Sequence, residues 1–401
     1  MSPSNLPFSV YVHVPFCSRR CGYCDFNTYT ASDLGGGASQ KAYPDLALEE
    51  VRLAQNQHAP RGVTTVYFGG GTPTVLPASD LVKILGGIRE AWGITSDAEI
   101  TTEANPDSVT EQDIVELAAG GFTRISFGMQ SAVPHVLKAL DRTHNPDNIR
   151  QVVKWAQANG LKPSLDLIYG TPGESLDDWR QSVQAAISTG VDHISAYALT
   201  VAPNTKLGRQ IANSQVLKPD DDDMAEKYEL ADKLLTKAGF EWYEISNWAR
   251  GGITGPNACR HNLVYWHSGD WLGIGPGAHS HIGSTRFWNV AHPRQWATMI
   301  TDGDLPIAGS EQLTAAEISL EKIFLELRLS SGLSIETLAQ YQTNLNENIN
   351  SHGESTNKLK QELNALARNG LISSDALNRD SQAILTLKGR LLADSVVQSL
   401  T

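Results

Sequence analysis

Residues 10–26 read VYVHVPFCSRRCGYCDF. Val10–Val14 alternates β-branched residues with larger polar ones and predicts a strand. Pro15 ends it, and Cys17, Cys21 and Cys24 follow at once in a short loop. Only Cys259, far downstream, adds a further thiol. A structural zinc takes four ligands, and disulfides take cysteines in pairs. Three thiols gathered at the end of one strand therefore leave a donor set that something else must complete.

The strand that carries this loop is the first of a series. Apolar or alternating runs recur at Val63–Phe68, Glu99–Glu103, Arg124–Phe127, Ser164–Ile168 and His193–Leu199. Between them lie helical stretches at Tyr43–Gln57, Ser79–Ala91, Thr110–Ala119, Asn148–Ala158 and Leu176–Ser188. Ser79, Thr110 (with Asp113) and Ser175 (with Asp178) are the expected caps. Strand alternating with helix predicts a parallel sheet with right-handed crossovers. Six such units predict an α/β fold built as a partial (β/α)6 barrel over residues 1–217. From 218 the pattern changes. The acidic PDDDDM (219–224) leads into a helix at Met224–Ala238, and an aromatic and glycine-rich segment, Phe240–Trp288, extends the unit to 306. Residues 307–401 read as a smaller, mostly helical domain that ends in AILTLKGRLLAD, a strand–turn–helix of winged-helix type. Within it the polar Asn344–Asn357 predicts a loop.

The bulk properties narrow the function. The chain has 401 residues, 41% of them hydrophobic, and a net charge of −12, with a pI near 5.4. Such an acidic balance argues against nucleic acid as a partner. No run approaches the roughly 20 apolar residues of a membrane span. MSPSNLPFSVYVHVPFC has no basic leader, and clustered thiols suit a reducing cytosol. The expectation is a cytoplasmic protein.

In a parallel βα fold, chemistry gathers at the C-terminal strand ends. Those ends carry, in order, the cysteine loop, Gly69–Thr74 (GGGTPT), Glu103 in TEANP, Gln130 in FGMQS and Asp166 in LDLIYGTPG. Three thiolates hold three irons of a [4Fe–4S] cube and leave the fourth iron open. An amino acid's amine and carboxylate would complete it. Glycines lacking Cβ atoms let backbone approach a small ligand, and Glu103 can accept hydrogen bonds from a ribose or an ammonium. Singly, a glycine turn or a lone carboxylate is usually structural; the joint arrangement carries the reading.

CSRRCGYC resembles the CxxxCxxC signature of the radical S-adenosylmethionine (SAM) family. YVHVPFC, YFGGGTPT, EANP, RISFGMQS, LDRTH and DLIYGTPG resemble motifs of its oxygen-independent coproporphyrinogen III oxidase group. The resemblance implies that Cys17, Cys21 and Cys24 ligate the cluster and that SAM completes it. Tyr11, Tyr23, Gly70, Gly71, Thr72, Glu103, Gln130, Arg142 and Asp166 match its SAM-site positions. In that family the cluster's electron cleaves SAM to methionine and a 5′-deoxyadenosyl radical.

Two departures separate the chain from the oxidases themselves. They carry a further cysteine two places after the third, where this chain has Phe26, and a longer segment before the first. In addition, HNLVYW (His261–Trp266) is similar to the HNxxYW signature of HemW-type haem chaperones. That resemblance implies haem binding by His261, Asn262, Tyr265 and Trp266. His261 is the candidate axial ligand, alongside His267, His279, His281 and Cys259. It also implies delivery of haem to acceptor haem proteins of the respiratory type, with transient membrane contact. LGIGPGAHS (Leu272–Ser280) is expected as a strand and turn beside the SAM site. The leading expectation is a haem chaperone. An oxidase removing two propionate carboxyls is the alternative, and a radical SAM enzyme acting on nucleic acid is a third, disfavoured by charge. The sequence leaves the catalytic residues and the oligomeric state open.

Overall fold

The structure is a computed structural model and describes residues 8–58, 61–345 and 352–401. It opens with β1 (Phe8–Val14) and α1 (Tyr43–Gln55), then β2 (Val63–Gly70) and α2 (Ala78–Trp92), β3 (Ile94–Ala104) and α3 (Glu111–Ala119). β4 (Arg124–Gln130) is followed by α4 (Pro134–Ala139) and α5 (Asn148–Ala158), and β5 (Lys162–Tyr169) by α6 (Leu176–Ser188). β6 (His193–Ala198) leads into α7 (Lys206–Ala212) and α8 (Asp221–Lys237). All six expected strands are present, and β1 to β6 pair in parallel in chain order. That order decides the architecture. A doubly wound sheet reverses its strand order and takes helices on both faces. Here no reversal occurs, so right-handed crossovers lay every helix on one face and the sheet curls around the other.

Local chemistry explains the helix starts. Thr110 with Asp113, and Ser175 with Asp178, form reciprocal capping boxes. Ser79 does not cap: α2 begins one residue earlier, with Pro77 at its N-cap and no side-chain cap bond. The acidic run starts α8, where the Asp220 side chain accepts from the Asp223 amide and three aspartates occupy the first turn, favourable at the positive end of a helix.

The aromatic segment folds as β7 (Glu241–Glu244), β8 (Asn247–Ala249), α9 (Arg260–Trp266), β9 (Asp270–Ile274), β10 (His279–Ile282) and β11 (Thr285–Asn289), then α10 (Pro293–Thr301) and β12 (Ile307–Gln312). The resulting 12-stranded sheet has the order β12-β11-β10-β9-β1-β2-β3-β4-β5-β6-β8-β7. β9 runs parallel to β1, and β8 antiparallel to β6. Among the described residues β12 and β7 do not pair with each other, so the barrel is partial.

The C-terminal region is α11 (Ala315–Glu326), β13 (Leu333–Ser334), α12 (Ile335–Leu345), α13 (His352–Arg368), α14 (Ser374–Asp380), β14 (Gln382–Ala383), α15 (Leu387–Leu391) and α16 (Ala393–Leu400). It is mostly helical, with the short antiparallel pair β13–β14. It packs around its own core of Ile323, Leu338, Leu363 and Val396. The polar loop expected at Asn344–Asn357 is shorter than expected: α12 ends at Leu345 and α13 begins at His352, while 346–351 lie outside the described residues. No described helix is long and apolar enough to cross a membrane.

Candidate functional site

Strand alternation sorts the barrel into two chemistries. Val10, Val12 and Val14 of β1 point into the outer core, with Leu81, Ile84 and Ile88 of α2. The opposite face is polar on every strand: Tyr11 of β1, Tyr67 of β2, Thr101 of β3, Arg124 and Ser126 of β4, Ser164 and Asp166 of β5, and His193, Ser195 and Tyr197 of β6 line an interior space. The barrel thus keeps an apolar wall outside and a hydrogen-bonding chamber inside.

At the C-terminal strand ends this interior opens into a cavity of about 590 Å³. Cys17, Cys21, Tyr23, Cys24, Gly70, Gly71, Thr72, Glu103, Gln130, Arg142 and Asp166 all line it. These candidates lie up to about 150 residues apart in sequence, and the fold brings them to one rim. The Arg142 guanidinium donates to the Gly128 carbonyl at 2.8 Å and lies 3.6 Å from the Cys21 sulfur. The Thr72 hydroxyl is 3.8 Å from the Cys17 sulfur. Glu103 accepts from the Tyr67 hydroxyl at 2.8 Å, and Asp166 from Ser126 at 2.8 Å. Gln130 has left-handed backbone, φ 60°, where β4 and β5 shift register. Such a conformation is held only where the surroundings dictate it, and it turns the side chain to the cavity.

Two glycines are required by the geometry. A Cβ on Gly71 would stand 2.4 Å from the Phe16 carbonyl oxygen, and one on Gly70, at φ +107°, 2.5 Å from the His13 ring. The turn therefore lies directly against the cysteine loop and presents bare backbone to the cavity.

Electrostatics follow from burial. Burial holds the Cys17 thiol up at about 11, and Glu103 is pushed up to about 7 by burial, opposed by the bond from Tyr67. Asp166 is also raised, again by burial first. Without a cation the cavity thus favours the neutral forms of the Cys17 thiol and of the Glu103 and Asp166 carboxyls. Among the described residues no group of three or more His, Cys, Asp or Glu side chains is gathered to hold a single metal ion. Three thiols on one loop, lining one cavity wall, fit instead a polynuclear cluster that takes a separate iron at each sulfur. A glycine cradle with Glu103 and Asp166 beside it fits an amino-acid nucleoside.

Tyr11 is placed differently. Its hydroxyl meets His13 Nδ1 at 3.1 Å, and it lines not the large cavity but a smaller inner one of about 200 Å³. Tyr67, Ser126, Asp166 and Tyr197 line both. The HNLVYW segment is α9, and it enters the barrel from the end opposite the cysteines. The His261 amide donates to Glu99, itself paired with Arg124 at 3.2 Å. His261 is 1% exposed, with Nδ1 2.7 Å from Thr65 Oγ1 and Nε2 2.8 Å from the Tyr265 hydroxyl. Asn262 donates to Glu244, and Trp266 lines neither cavity. The motif therefore does not present the open aromatic platform that haem binding asks for, and the inner cavity is below the ~300 Å³ from which ligand pockets begin. Of the other candidates, Cys259 is buried 3.5 Å from Glu99, His281 bonds the Gly269 carbonyl, and His279 stacks on Trp288. LGIGPGAHS forms β9, a turn and the start of β10 as expected, but it borders β1 and none of its residues lines the large cavity.

Sequence reasoning passed over Tyr67 and Tyr197, which join the two cavities. The signal was available, since the alternation of β2 that turns Gly69 inward turns Tyr67 inward too. Phe26, 62% exposed, also lines the large cavity, beside Cys24.

Comparison with known proteins places this geometry. Residues 11–186 match the model of the Radical SAM superfamily. The chain is 44% identical over 395 residues to a "Heme chaperone HemW" of Mycobacterium tuberculosis, covering 98% of this chain and 95% of that one. It is 33% identical over 395 residues to the protein of the same name from Bacillus subtilis, covering 97% of each. The coproporphyrinogen III oxidase HemN of Escherichia coli, a radical SAM enzyme, superposes with a TM-score of 0.80 at 22% identity, over 98% of this chain and 90% of that one.

Proposed function

The chain belongs to the radical SAM superfamily and, within it, to the family of the heme chaperone HemW, and on that premise we propose that it binds haem and passes it to acceptor haem proteins while holding a SAM-capped [4Fe–4S] cluster. The observation that carries the cofactor half is the convergence of Cys17, Cys21 and Cys24 with Gly70–Thr72, Glu103, Gln130, Arg142 and Asp166 on one cavity. The haem half rests on the family. When bound, such a cluster supplies a one-electron reductant at an open iron. The chain's own residues prepare the place. Thr72 and Arg142 set donors toward the sulfurs of Cys17 and Cys21. The Gly70–Gly71 backbone lets a ligand approach without side-chain obstruction. Glu103, fixed by Tyr67, offers an acceptor for a ribose hydroxyl or an ammonium group.

The setting we propose is the cytosol, with respiratory haem proteins as acceptors reached by transient contact at the membrane. Four free cysteines support a reducing compartment. The likeness to coproporphyrinogen III oxidase is one of fold, so it adds no activity to this reading.

The test is a haem titration of the anaerobically reconstituted protein, followed at the Soret band. Saturation at one haem per chain is the expected result. Cys17→Ser is expected to lose the cluster, read as bound iron and visible absorbance. A protein that takes up no haem but converts coproporphyrinogen III anaerobically would replace the chaperone reading with the oxidase one.

A further inference from the structure

The disagreement between the HNLVYW segment and a haem platform has a constructive side. Thr65 Oγ1 donates to Ser9 Oγ at 2.7 Å, so at His261 it acts as acceptor and Nδ1 carries the proton. Burial keeps the ring neutral, with its pKa lowered to about 4, so Nε2 accepts from the Tyr265 hydroxyl. The lone pair that would ligate iron is therefore already engaged. Tyr265 is fixed in turn by its edge-on contact with Trp271, 4.8 Å between centroids. The face of the imidazole lies on Tyr67, with ring centroids 5.1 Å apart and planes 23° apart. Tyr67 also packs against Tyr11 at 6.3 Å, and its hydroxyl donates to Glu103 in the large cavity.

We propose that α9 is an internal brace of the cofactor cavity, in which His261 positions Tyr67 and, through it, the Glu103 carboxyl that faces SAM. His261 then acts on SAM binding without touching SAM or haem iron. The chain Thr65–His261–Tyr67–Glu103 crosses the barrel from the end that α9 enters to the end that carries the cysteines. Each link is a contact between buried or half-buried groups, so displacement of the imidazole leaves Tyr67 without one of its two stacking partners. This inference rests on the placement of SAM against Glu103 under the proposed function.

The experiment uses the reconstituted full chain and its His261→Ala, His261→Gln and Tyr67→Phe variants. Three quantities are read on each: bound iron, the SAM-induced change in the electron paramagnetic resonance spectrum of the reduced cluster, and hemin uptake at the Soret band. The brace predicts full cluster content in all three variants. It predicts SAM affinity lowered about tenfold in His261→Ala, the scale of one lost aromatic stacking contact. Tyr67→Phe, which keeps the stack but not the bond to Glu103, weakens SAM similarly. His261→Gln, able to reach Thr65 or Tyr265, recovers part of the loss. Hemin uptake stays at the parent level. An unchanged SAM response with lost hemin uptake in His261→Ala overturns the brace and restores His261 as the iron ligand. Loss of the cluster in Tyr67→Phe also overturns it, because the effect would then be structural. A parent protein whose spectrum ignores SAM fails the functional reading itself, a result visible before any variant is made.

Discussion

Gly71 is the residue on which the cofactor cavity depends most directly. An added methyl would meet the backbone carbonyls of Phe16 at 2.4 Å and Val14 at 2.9 Å, and neither can rotate away. Gly71→Ala should therefore push the glycine turn off the cysteine loop. The expected cost is about 1–3 kcal/mol of stability, with a weaker spectral response to SAM; an alanine variant with the parent's melting temperature and SAM response would show that the two loops slide apart freely. Glu50 makes a separate prediction. It is wholly buried in α1, where the Gly275 amide, Trp296 Nε1 and the Asn289 amide donate to it. Burial nevertheless raises its pKa to about 7, against about 4.3 in an unfolded chain. Above that lower value the unfolded chain has released a proton that the fold retains. The contribution of Glu50 to stability therefore falls as pH rises toward 7 and levels off beyond. In Glu50→Gln this slope is absent, so the variant's melting temperature, taken relative to the parent's, should rise between pH 5 and pH 7. A difference that stays constant over that range would mean that Glu50 is ionised throughout. The positions of most cavity residues were legible in the sequence because they sit in motifs at strand ends, where the parallel fold places them together. The depth of Tyr11 was not, because alternation tells which face a side chain takes but not how deep along the barrel it lies.

At the scale of elements, the helices that follow β3 and β5 announce themselves by their caps. The Ser175 hydroxyl accepts from the Asp178 amide and donates to its carboxylate at 2.6 Å. Ser175→Ala should remove about 1 kcal/mol of stability, measured by denaturant unfolding, while leaving the cluster intact; no change would mean that packing of Trp179 and Val183 alone fixes the start of α6. α9 shows the opposite case. Seven residues make fewer than two turns, too few to display a 3.6-residue period. The aromatic-rich sequence therefore read as a binding surface. What makes it a helix is tertiary: a buried Glu99 that accepts the His261 amide and a Thr65 hydroxyl that meets its ring. α13 overlaps at its start the loop expected at Asn344–Asn357 for a related reason. Its first residues are polar and glycine-containing, with none of the apolar spacing that marks a helix anchored on a core.

Across the whole molecule, six strand–helix units predict a parallel sheet, and their count alone favours a partial barrel over an open sheet; the unreversed strand order of the structure is what decides between them. The strands after β6 were less legible. β8 to β12 are three to six residues long, too short to display a period of their own; β8 and β9 take their direction from the distant β6 and β1, and β10 to β12 from the strand before each. The separate C-terminal core was foreseeable from the return of helical spacing after the aromatic segment, and Ile323, Leu338 and Leu363 bear its weight.

β1 pairs on one side with β2 and on the other with β9, joining Phe8 to Asp270 and Val12 to Ile274. The order of synthesis gives this pairing a cost in time. β9 is made about 260 residues after β1, and the helix that fills the barrel is made just before it. Until then the growing half-barrel carries an unpaired edge and an unfilled polar interior. Contacts so remote in sequence slow folding, and an exposed edge invites pairing with other chains. Newly made protein should therefore spend an extended interval in need of protection before it can protect any cargo of its own.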